Sequence, residues 1–547
     1  MGSGASKYAV DIQETSSEEI LACIKALPDE DLRKVRVACV AARRRSLLPD
    51  KLESASDLLK QLSAKKITCA ELVERSLARI AATEELNACV QVYADEARAK
   101  AKAVDEKIAS GGILGALEGL PIVVKINFDV AGTITDASNP VLKSFIPVTT
   151  SPVIQPMLDA GAIVIAKTNM PSMARNTNPW SAIYGKCLNP VNLANTPGGS
   201  SSGTASAVAA GIVSVGIGSD TGGSCRLPAI CTGITGFRPS PGRYSNEGCV
   251  PCVPRADTPG PLGTCVRDIM LADSVITGTK HELLEGSAVT DILKGLKVAM
   301  PLDWVGANKF LNKTVAISWD TSISALQENG VEFVKENIGN DGEMLKSIAC
   351  FMKSGWDELD AYLEKHRKSG VKHEALELST LDFTKKSPKG EDKVFQPPEE
   401  DEDQEEKDAA FEARVFAAEK FIHSYFDKTG ARFMLTPAML GLPPNMENAE
   451  FDGHVTVKGY RVVAEIMSEK EAPEGLVNGI LTRYAPRWAG ILTSIAIPTP
   501  VKCQATGLCT GVILWGPKDS DAELLQAAAA VEAVFASTDV SSLCVSY

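Results

Sequence analysis

The sequence has few histidines, few aromatic residues and no excess of positive charge. Its 547 residues include five histidines and 5% aromatic residues, and the formal net charge at pH 7 is −13. Nucleic-acid binding requires a basic face, so this charge balance argues against a nucleic-acid partner. Since 44% of the residues are hydrophobic, the chain can still build a large globular core.

The sequence also lacks a long hydrophobic run and a cysteine pattern typical of secreted proteins. No apolar run approaches the roughly 18 residues of a membrane span, and no signal-peptide pattern opens the chain. The 14 cysteines are scattered, which fits reduced thiols in a cytoplasmic protein. Cys249 and Cys252 form a single CxxC, but neither a second pair nor nearby histidines follow. We therefore expect packed thiols there and no metal site.

The first residues, MGSGAS, match the pattern for N-myristoylation at Gly2. A chance or vector-derived Gly-Ser start gives the same letters, so both interpretations stay open. One acyl chain binds membranes only weakly. If Gly2 is acylated, the expected consequence is reversible peripheral attachment to a membrane.

Apolar segments alternate with helical patterns along most of the chain. Strands are predicted over 120–126, 162–167, 212–218, 296–300, 432–437, 493–498 and 511–516, with a final helix over 520–537. Such alternation predicts an α/β fold, a single large α/β/α domain whose twisted mixed sheet is covered by helices on both faces.

The domain organisation follows from the change of pattern near residue 54. Residues 1–53 are predicted to form a partly helical N-terminal extension, and residues 54–547 the main domain. Ser16 with Glu19, and Thr68 with Glu71, have capping-box spacing at helix starts. A variable helical region over about 303–430 contains an acidic low-complexity run at 397–408, which we expect to be solvated.

Two serines in one segment, Ser200 and Ser224, each follow a Gly-Gly pair. A flexible linker would not enclose the apolar run between them, so we interpret the segment as a site. Residues 199–203 also fit the GxSxG pattern of a nucleophile elbow. That motif should follow a strand directly, whereas a loop-like ANTPGG precedes it here, so the elbow interpretation is disfavoured.

A serine nucleophile needs a base, and none of the histidines is near this segment in sequence. Lys125 follows the apolar run PIVV, where burial would favour its neutral amine. A neutral lysine can accept a proton from a serine hydroxyl. A lysine that only reaches the surface at a strand end is the alternative.

The combination of these segments resembles the amidase signature family. GLPIVVKIN is similar to the lysine motif, TPGGSSSGTASAVAAG to the Gly-Ser-rich segment, and GSDTGGSCRLPA to the nucleophile segment. GFRPSPGR and DTPGPL follow in the family's order. The resemblance extends over about 54–278 and resumes weakly from FMLTPA to the C-terminal region.

The resemblance implies a Ser–cis-Ser–Lys triad that forms an acyl-enzyme. Ser224 would be the nucleophile, Ser200 the bridging serine on a cis peptide, and Lys125 the general base. The N–H groups of Thr221, Gly222, Gly223 and Ser224 would form the oxyanion hole. No metal or organic cofactor is implied. Asp220 and Arg226, which flank the nucleophile, are interpreted as a structural pair.

Two positions depart from the family pattern. Ile126 stands where the lysine motif commonly has an acidic residue, and Ser202 stands where a second glycine pair begins. A serine at that place would be strained if its φ were positive. Neither departure removes a catalytic group, so they bear on efficiency and loop geometry.

The substrate is less well defined than the reaction. Met173, Ser202 and Trp180 are the candidate substrate-binding residues, within a pocket expected from 169–178 and 303–430; for each, core packing is the alternative. The expected substrate is a small or hydrophobic amide, with aryl-acetamides and fatty-acid amides favoured. The glutaminase (A) subunit of a tRNA-dependent amidotransferase and a non-catalytic binding protein are the alternatives. A homodimer stays open.

Overall fold

The computed structural model describes residues 49, 51–175, 177–282, 284, 286–301, 312–338, 356–371, 404–439, 441–446, 491–504 and 506–540. The chain divides into two compact units, residues 1–47 and 48–547, and every described residue belongs to the second. Gly2, most of the expected N-terminal extension and the first part of the acidic run therefore lie outside the described residues. The end of that run is helical, because a helix begins at Gln404.

The helices of the second unit lie mostly between strands in the chain. They are α1 Ala55–Ser63, α2 Cys69–Ala82, α3 Ala94–Ala109, α4 Gln155–Asp159, α5 Ser202–Ala209, α6 Arg226–Thr232, α7 Val266–Thr277, α8 Ser287–Asp291, α9 Lys313–Glu328, α10 Trp356–Lys368, α11 Gln404–Thr429 and α12 Asp521–Ser537. Short 3₁₀ turns occur at Glu84–Leu86, Pro140–Leu142 and Ser172–Ala174.

Thirteen strands occur among the described residues. They are β1 Cys89–Val92, β2 Pro121–Lys125, β3 Ile163–Thr168, β4 Trp180–Ser181, β5 Gly185–Lys186, β6 Val215–Asp220, β7 Thr235–Arg238, β8 Thr258–Gly263, β9 Lys297–Pro301, β10 Glu332–Glu336, β11 Phe433–Pro437, β12 Thr493–Lys502 and β13 Cys509–Gly516. Eleven of them form one sheet in the order β1-β3-β2-β6-β8-β7-β12-β13-β11-β9-β10. The strands β4 and β5 form a separate hairpin.

The large sheet is mixed and covered on both faces, which confirms the predicted fold class. The strands β3, β2 and β6 are parallel neighbours, whereas β8, β7, β12 and β13 pair antiparallel. Successive residues of β12 and β13 alternate between two apolar clusters. Ile495 packs with α7, α9 and α12, and Ala496 packs with α6 and α11. This period of two places a helical layer on each side of the sheet.

All seven predicted strands are present, with small shifts at their ends. One of the two predicted capping boxes is present, since Thr68 and Glu71 bond each other's backbone at the start of α2. The other, Ser16 with Glu19, lies outside the described residues. The other six strands, β1, β4, β5, β7, β8 and β10, are not apparent from the sequence pattern. The β8 sequence TPGPLG is typical of a loop, but pairing with β6 and β7 on either side makes it a strand, because tertiary context overrides weak local propensity.

The parallel strands bring three chain segments to one edge of the sheet. β2 ends at Lys125, β3 at Thr168 and β6 at Asp220, and these carboxyl ends lie side by side. In open α/β sheets, ligands bind at the carboxyl ends of parallel strands. Among the described residues, no helix is long and apolar enough to cross a membrane.

Candidate active site

Lys125 is the last residue of β2 and is fully buried. Its Nζ atom lies 2.8 Å from Ser200 Oγ and 2.9 Å from Ser219 Oγ. Burial lowers the pKa of Lys125 to about 8, because an ammonium loses its hydration in the protein interior. Near pH 8, a large fraction of the protein molecules therefore has a neutral Lys125 amine. A neutral amine can accept a proton from a neighbouring hydroxyl.

Ser200 is placed by a sharply bent loop just before α5. The peptide bond between Gly199 and Ser200 is cis, as the family resemblance implies. Gly198 has a φ of 75°, and a Cβ atom there would lie 3.0 Å from Pro228 Cα, so only glycine fits this bend. The loop thus delivers the Ser200 hydroxyl into the interior beside Lys125.

Ser224 lies in the turn between β6 and α6 and is 6% exposed, whereas Ser200 is fully buried. A backbone hydrogen bond of 3.2 Å from Ser201 N–H to the Ser224 carbonyl joins the two glycine-serine segments. No hydrogen bond joins the hydroxyls of Ser224 and Ser200 among the described contacts. The structure therefore pairs Lys125 with Ser200 directly and brings Ser224 to the same loop through the backbone.

Asp220 anchors the turn that carries Ser224. Its carboxylate accepts hydrogen bonds from Arg226 Nε and Nη2, both at 3.0 Å, and it also contacts Arg238. Burial alone would raise the pKa of Asp220, but the two arginine charges outweigh it and hold the pKa below the usual range. The interpretation of Asp220 and Arg226 as a structural pair is consistent with these contacts.

The predicted oxyanion hole needs one correction. The Gly223 N–H donates to Asp220 Oδ1 at 2.7 Å, so it is already used by the turn. Within the part of the chain that the structure describes, the N–H groups of Thr221, Gly222 and Ser224 have no hydrogen-bond partner. Thr221 contributes its hydroxyl to Asp257 at 2.5 Å. The N–H groups of Thr221, Gly222 and Ser224 are thus the better candidates for donors to a developing oxyanion.

Sequence reasoning missed two polar residues beside the lysine, Ser219 and Asn127. The Asn127 Nδ2 atom donates to Ser219 Oγ at 3.1 Å, and Ser219 in turn contacts Lys125. The signal lies in the strand pairing, because Val124 pairs with Ile217 and this register brings Ser219 close to Lys125. This proximity cannot be predicted from the sequence unless β2 and β6 are known to be neighbours.

The three candidate substrate-binding residues have different surroundings. Ser202 is fully buried, and its hydroxyl lies 3.5 Å from the Asn169 carbonyl. Met173 is 3% exposed within an apolar cluster. Trp180 is partly exposed, with the Lys186 ammonium 4.9 Å from its ring centroid.

The two departures from the family pattern have simple structural consequences. Ser202 is the first residue of α5 and is not among the residues with positive φ, so the strain considered for it does not arise. Ile126 is fully buried in the same apolar cluster as Met173. A hydrophobic side chain suits that position, and an unpartnered carboxylate would be costly there.

The two cysteines of the CxxC are buried and unpaired. Cys249 Sγ lies 3.3 Å from Asn127 Nδ2, close to the lysine. Burial raises the pKa of Cys252 to about 12, so its thiol stays protonated at neutral pH. Among the described residues, no group of histidine, cysteine or acidic side chains has the arrangement of a metal site.

Comparison with known proteins adds independent information. A sequence model of the amidase family matches residues 71–469. The chain is 37% identical over 303 residues to mandelamide hydrolase of Pseudomonas putida, covering 54% of this chain and 57% of that protein. It is 35% identical over 298 residues to indoleacetamide hydrolase of Rhizobium radiobacter, covering 54% and 62%. It is also 35% identical over 325 residues to the A subunit of the glutamyl-tRNA(Gln) amidotransferase of Synechococcus, covering 57% and 65%.

Solved structures support the fold over a longer stretch. A bacterial aryl acylamidase of the amidase signature family superposes with a TM-score of 0.67 at 22% identity, over 88% of this chain and 96% of that one. Peptide amidase from Stenotrophomonas maltophilia gives 0.67 at 21% identity, over 90% and 98%. The sequence matches, by contrast, span less than two thirds of each of the three relatives. Because the family model covers most of the sequence, the chain belongs to the amidase family.

Proposed function

We propose that this protein is an amidase that hydrolyses a carboxylic amide to the acid and ammonia or an amine through an acyl-enzyme on Ser224. The observation that carries the proposal is the buried Lys125 amine within 2.8 Å of Ser200 Oγ, on the loop next to the Ser224 turn. A buried amine with a lowered pKa is the base that this chemistry requires.

In the proposed cycle, Ser224 Oγ attacks the amide carbon and passes its proton to Ser200, whose own proton moves to Lys125. The N–H groups of Thr221, Gly222 and Ser224 are the donors available to stabilise the negative oxygen of the tetrahedral intermediate. The proton then returns from Lys125 through Ser200 to the leaving nitrogen, and the C–N bond breaks. Water attacks the ester in the same way and releases the acid and Ser224.

The Ser224 hydroxyl is expected to approach Ser200 when substrate binds. Catalytic hydrogen bonds are often long in the absence of ligand and shorten in the substrate complex. This sequence of events uses only groups of the protein and water.

The substrate class follows from the relatives and from the apolar cluster at the site. Two of the similar hydrolases are named for mandelamide and indoleacetamide, which are primary amides with an aromatic ring in the acyl group. Met170 and Met173 lie in an apolar cluster that also contains Ile126, next to Lys125. Methionine side chains adapt well to flat apolar groups. We therefore infer a primary amide with an aryl-substituted acyl group as substrate.

A second candidate is the glutaminase subunit of an amidotransferase. The similarity to the corresponding component of the Synechococcus enzyme favours it. Such a protein would release ammonia from glutamine for a tRNA-binding partner. The two candidates differ in substrate and in the need for a partner.

The test is ammonia release by the purified full chain from a panel of mandelamide, indole-3-acetamide, oleamide and glutamine. Turnover of the two aryl amides, absent in Lys125→Ala, supports the proposal. Ammonia from glutamine alone would support the amidotransferase candidate, and turnover of oleamide alone would support a fatty-acid-amide hydrolase. No turnover of any amide contradicts the proposed activity.

A further inference from the structure

A buried polar cluster joins helix α10 to the segment that follows the candidate base. Asp129, four residues after Lys125, accepts hydrogen bonds from Tyr362 Oη at 2.8 Å and from His366 Nε2 at 3.1 Å. Asp129 and His366 are each 1% exposed. Phe145 completes the cluster, with its ring centroid 5.0 Å from that of His366. These contacts fasten α10 to the loop after β2.

The loop that contains Asp129 also forms hydrogen bonds with parts of the protein other than α10. The Asp129 N–H donates to the Gly248 carbonyl at 2.7 Å. The buried Lys167 Nζ donates to the Phe128 carbonyl at 2.6 Å. Burial lowers the pKa of Lys167 to about 7. Because the loop is anchored independently, the Tyr362 and His366 contacts hold the helix in place rather than the loop.

The apolar side of α10 packs against the segment that follows β3. Leu359 and Leu363 belong to the same buried cluster as Met170 and Met173, and as Ile126, which adjoins Lys125. Met170 and Met173 follow the carboxyl end of β3, the strand beside β2. This cluster therefore lies at the edge of the sheet that carries the triad.

The backbone of Met173 has little room to adjust by itself. Its φ is 52°, a left-handed conformation that is uncommon for a methionine, and its N–H donates to the Ala137 carbonyl at 2.9 Å. A backbone held in this conformation depends on the packing around it. Helix α10 supplies part of that packing.

We propose that Tyr362 and His366 are positioning residues that set acyl-group specificity: through Asp129 they hold α10 against Met170 and Met173, and this fixes one wall of the acyl pocket. The inference rests on the proposed amidase function and deepens it. Loss of either hydrogen bond to Asp129 lets α10 move, and this weakens the binding of a bulky acyl group. It leaves the chemistry at Ser224 unchanged, since neither residue contacts the triad.

The experiment compares Tyr362→Phe, His366→Ala and His366→Gln with the wild-type full chain, using mandelamide, acetamide and a small alkyl fluorophosphonate. Tyr362→Phe removes one hydroxyl only, so it is the variant least able to unfold the protein. We expect KM for mandelamide to rise roughly tenfold in Tyr362→Phe and His366→Ala, because a small displacement caused by a change away from the reacting groups can cost about that much or more. The rate of fluorophosphonate labelling and kcat/KM for acetamide should stay within about twofold of wild type.

The comparison also uses a conservative variant, His366→Gln, and one further control variant. His366→Gln keeps a donor for Asp129 and should recover part of the lost affinity for mandelamide. Lys368→Ala is the matched control on the same helix, since its side chain is 76% exposed, and it should behave as wild type.

The outcomes separate this inference from the proposed function. An unchanged KM for mandelamide in folded Tyr362→Phe and His366→Ala overturns the inference while the activity stands. Equal losses for mandelamide, acetamide and fluorophosphonate also overturn it, because they would place the effect on the triad. A wild-type protein that turns over neither amide contradicts the proposed function and this inference with it.

Discussion

Lys125 Nζ and Ser200 Oγ lie 2.8 Å apart in the fully buried interior, although 75 residues separate them in the chain. The contact depends on two separate elements of the fold, a strand and a loop. The parallel strand β2 ends at the lysine, and a loop with a cis peptide bond carries the serine inward. An amine in such a place is a base only if burial keeps part of it neutral, and this condition makes the account testable by pH.

The first prediction concerns the pH dependence of activity. Burial lowers the pKa of Lys125 to about 8, and the base must be neutral to take a proton. kcat/KM should therefore fall as the pH drops below about 8 and reach a plateau above it. A pH–rate profile with mandelamide as substrate measures this decrease in kcat/KM, the acidic limb of the profile. A profile flat between pH 6 and 9 would show that Lys125 is not the titrating base.

The second prediction concerns Ser219, which accepts a hydrogen bond from Lys125 in this arrangement. Ser219→Ala removes an acceptor that stabilises the ammonium form, so the acidic limb should move to lower pH by about one unit. Activity at the plateau should fall roughly tenfold, because the amine loses the contact that orients it toward Ser200. Ser214→Ala, which deletes a hydroxyl just before β6, is the control. An unmoved limb in Ser219→Ala would reject this role.

The third prediction concerns the Asp220 anchor. Asp220→Asn leaves the charges of Arg226 and Arg238 buried without their carboxylate, a loss of about 3–5 kcal/mol in comparable cases. Asparagine has one acceptor oxygen in place of two, so the turn that presents Ser224 can keep only one of the hydrogen bonds from the Gly223 and Cys225 N–H groups. We expect a lower unfolding temperature together with at least about 100-fold slower turnover. The exposed change Asp291→Asn should alter neither, and wild-type behaviour of Asp220→Asn would contradict the anchor.

The fourth prediction concerns stability. Glu532 in α12 is buried and accepts the Val266 N–H at 2.9 Å, and burial raises its pKa to about 7. The folded protein therefore binds this proton more tightly than the unfolded chain does, so the contribution of Glu532 is favourable at low pH. It is lost as the pH rises from about 4.5 to about 7, an effect of about 3 kcal/mol.

Glu532→Gln keeps the acceptor and removes the titration. The unfolding temperature of wild type relative to Glu532→Gln should be higher at pH 5 than at pH 8. Glu328→Gln, at the exposed end of α9, is the control. A difference between wild type and Glu532→Gln that does not change with pH would show that Glu532 does not titrate in this window.

The strongly periodic parts of the fold could be predicted from the sequence, and so could the triad segments. β2 and β3 are continuous apolar runs, which are typical of buried strands. The two Gly-Gly-Ser segments are unusual enough to indicate a site. β8 could not be predicted, because its prolines and glycines are typical of a loop and only its neighbours make it a strand.

The details of the site depend on which strands are neighbours. Ser219 and Asn127 acquire a role only through the pairing of β2 with β6. The sequence suggests Gly223 as an oxyanion donor, but it does not show that Asp220 takes the Gly223 N–H. The Asp129 cluster joins residues more than 200 positions apart, so no local pattern reveals it.

The most direct test of the central claim is to map the covalent adduct of a fluorophosphonate on the full-length protein by mass spectrometry. The account predicts a single adduct on Ser224, absent in Ser224→Ala and formed far more slowly in Lys125→Ala and Ser200→Ala. An adduct on another residue, or labelling that persists in Ser224→Ala, would contradict the assignment of Ser224 as the nucleophile.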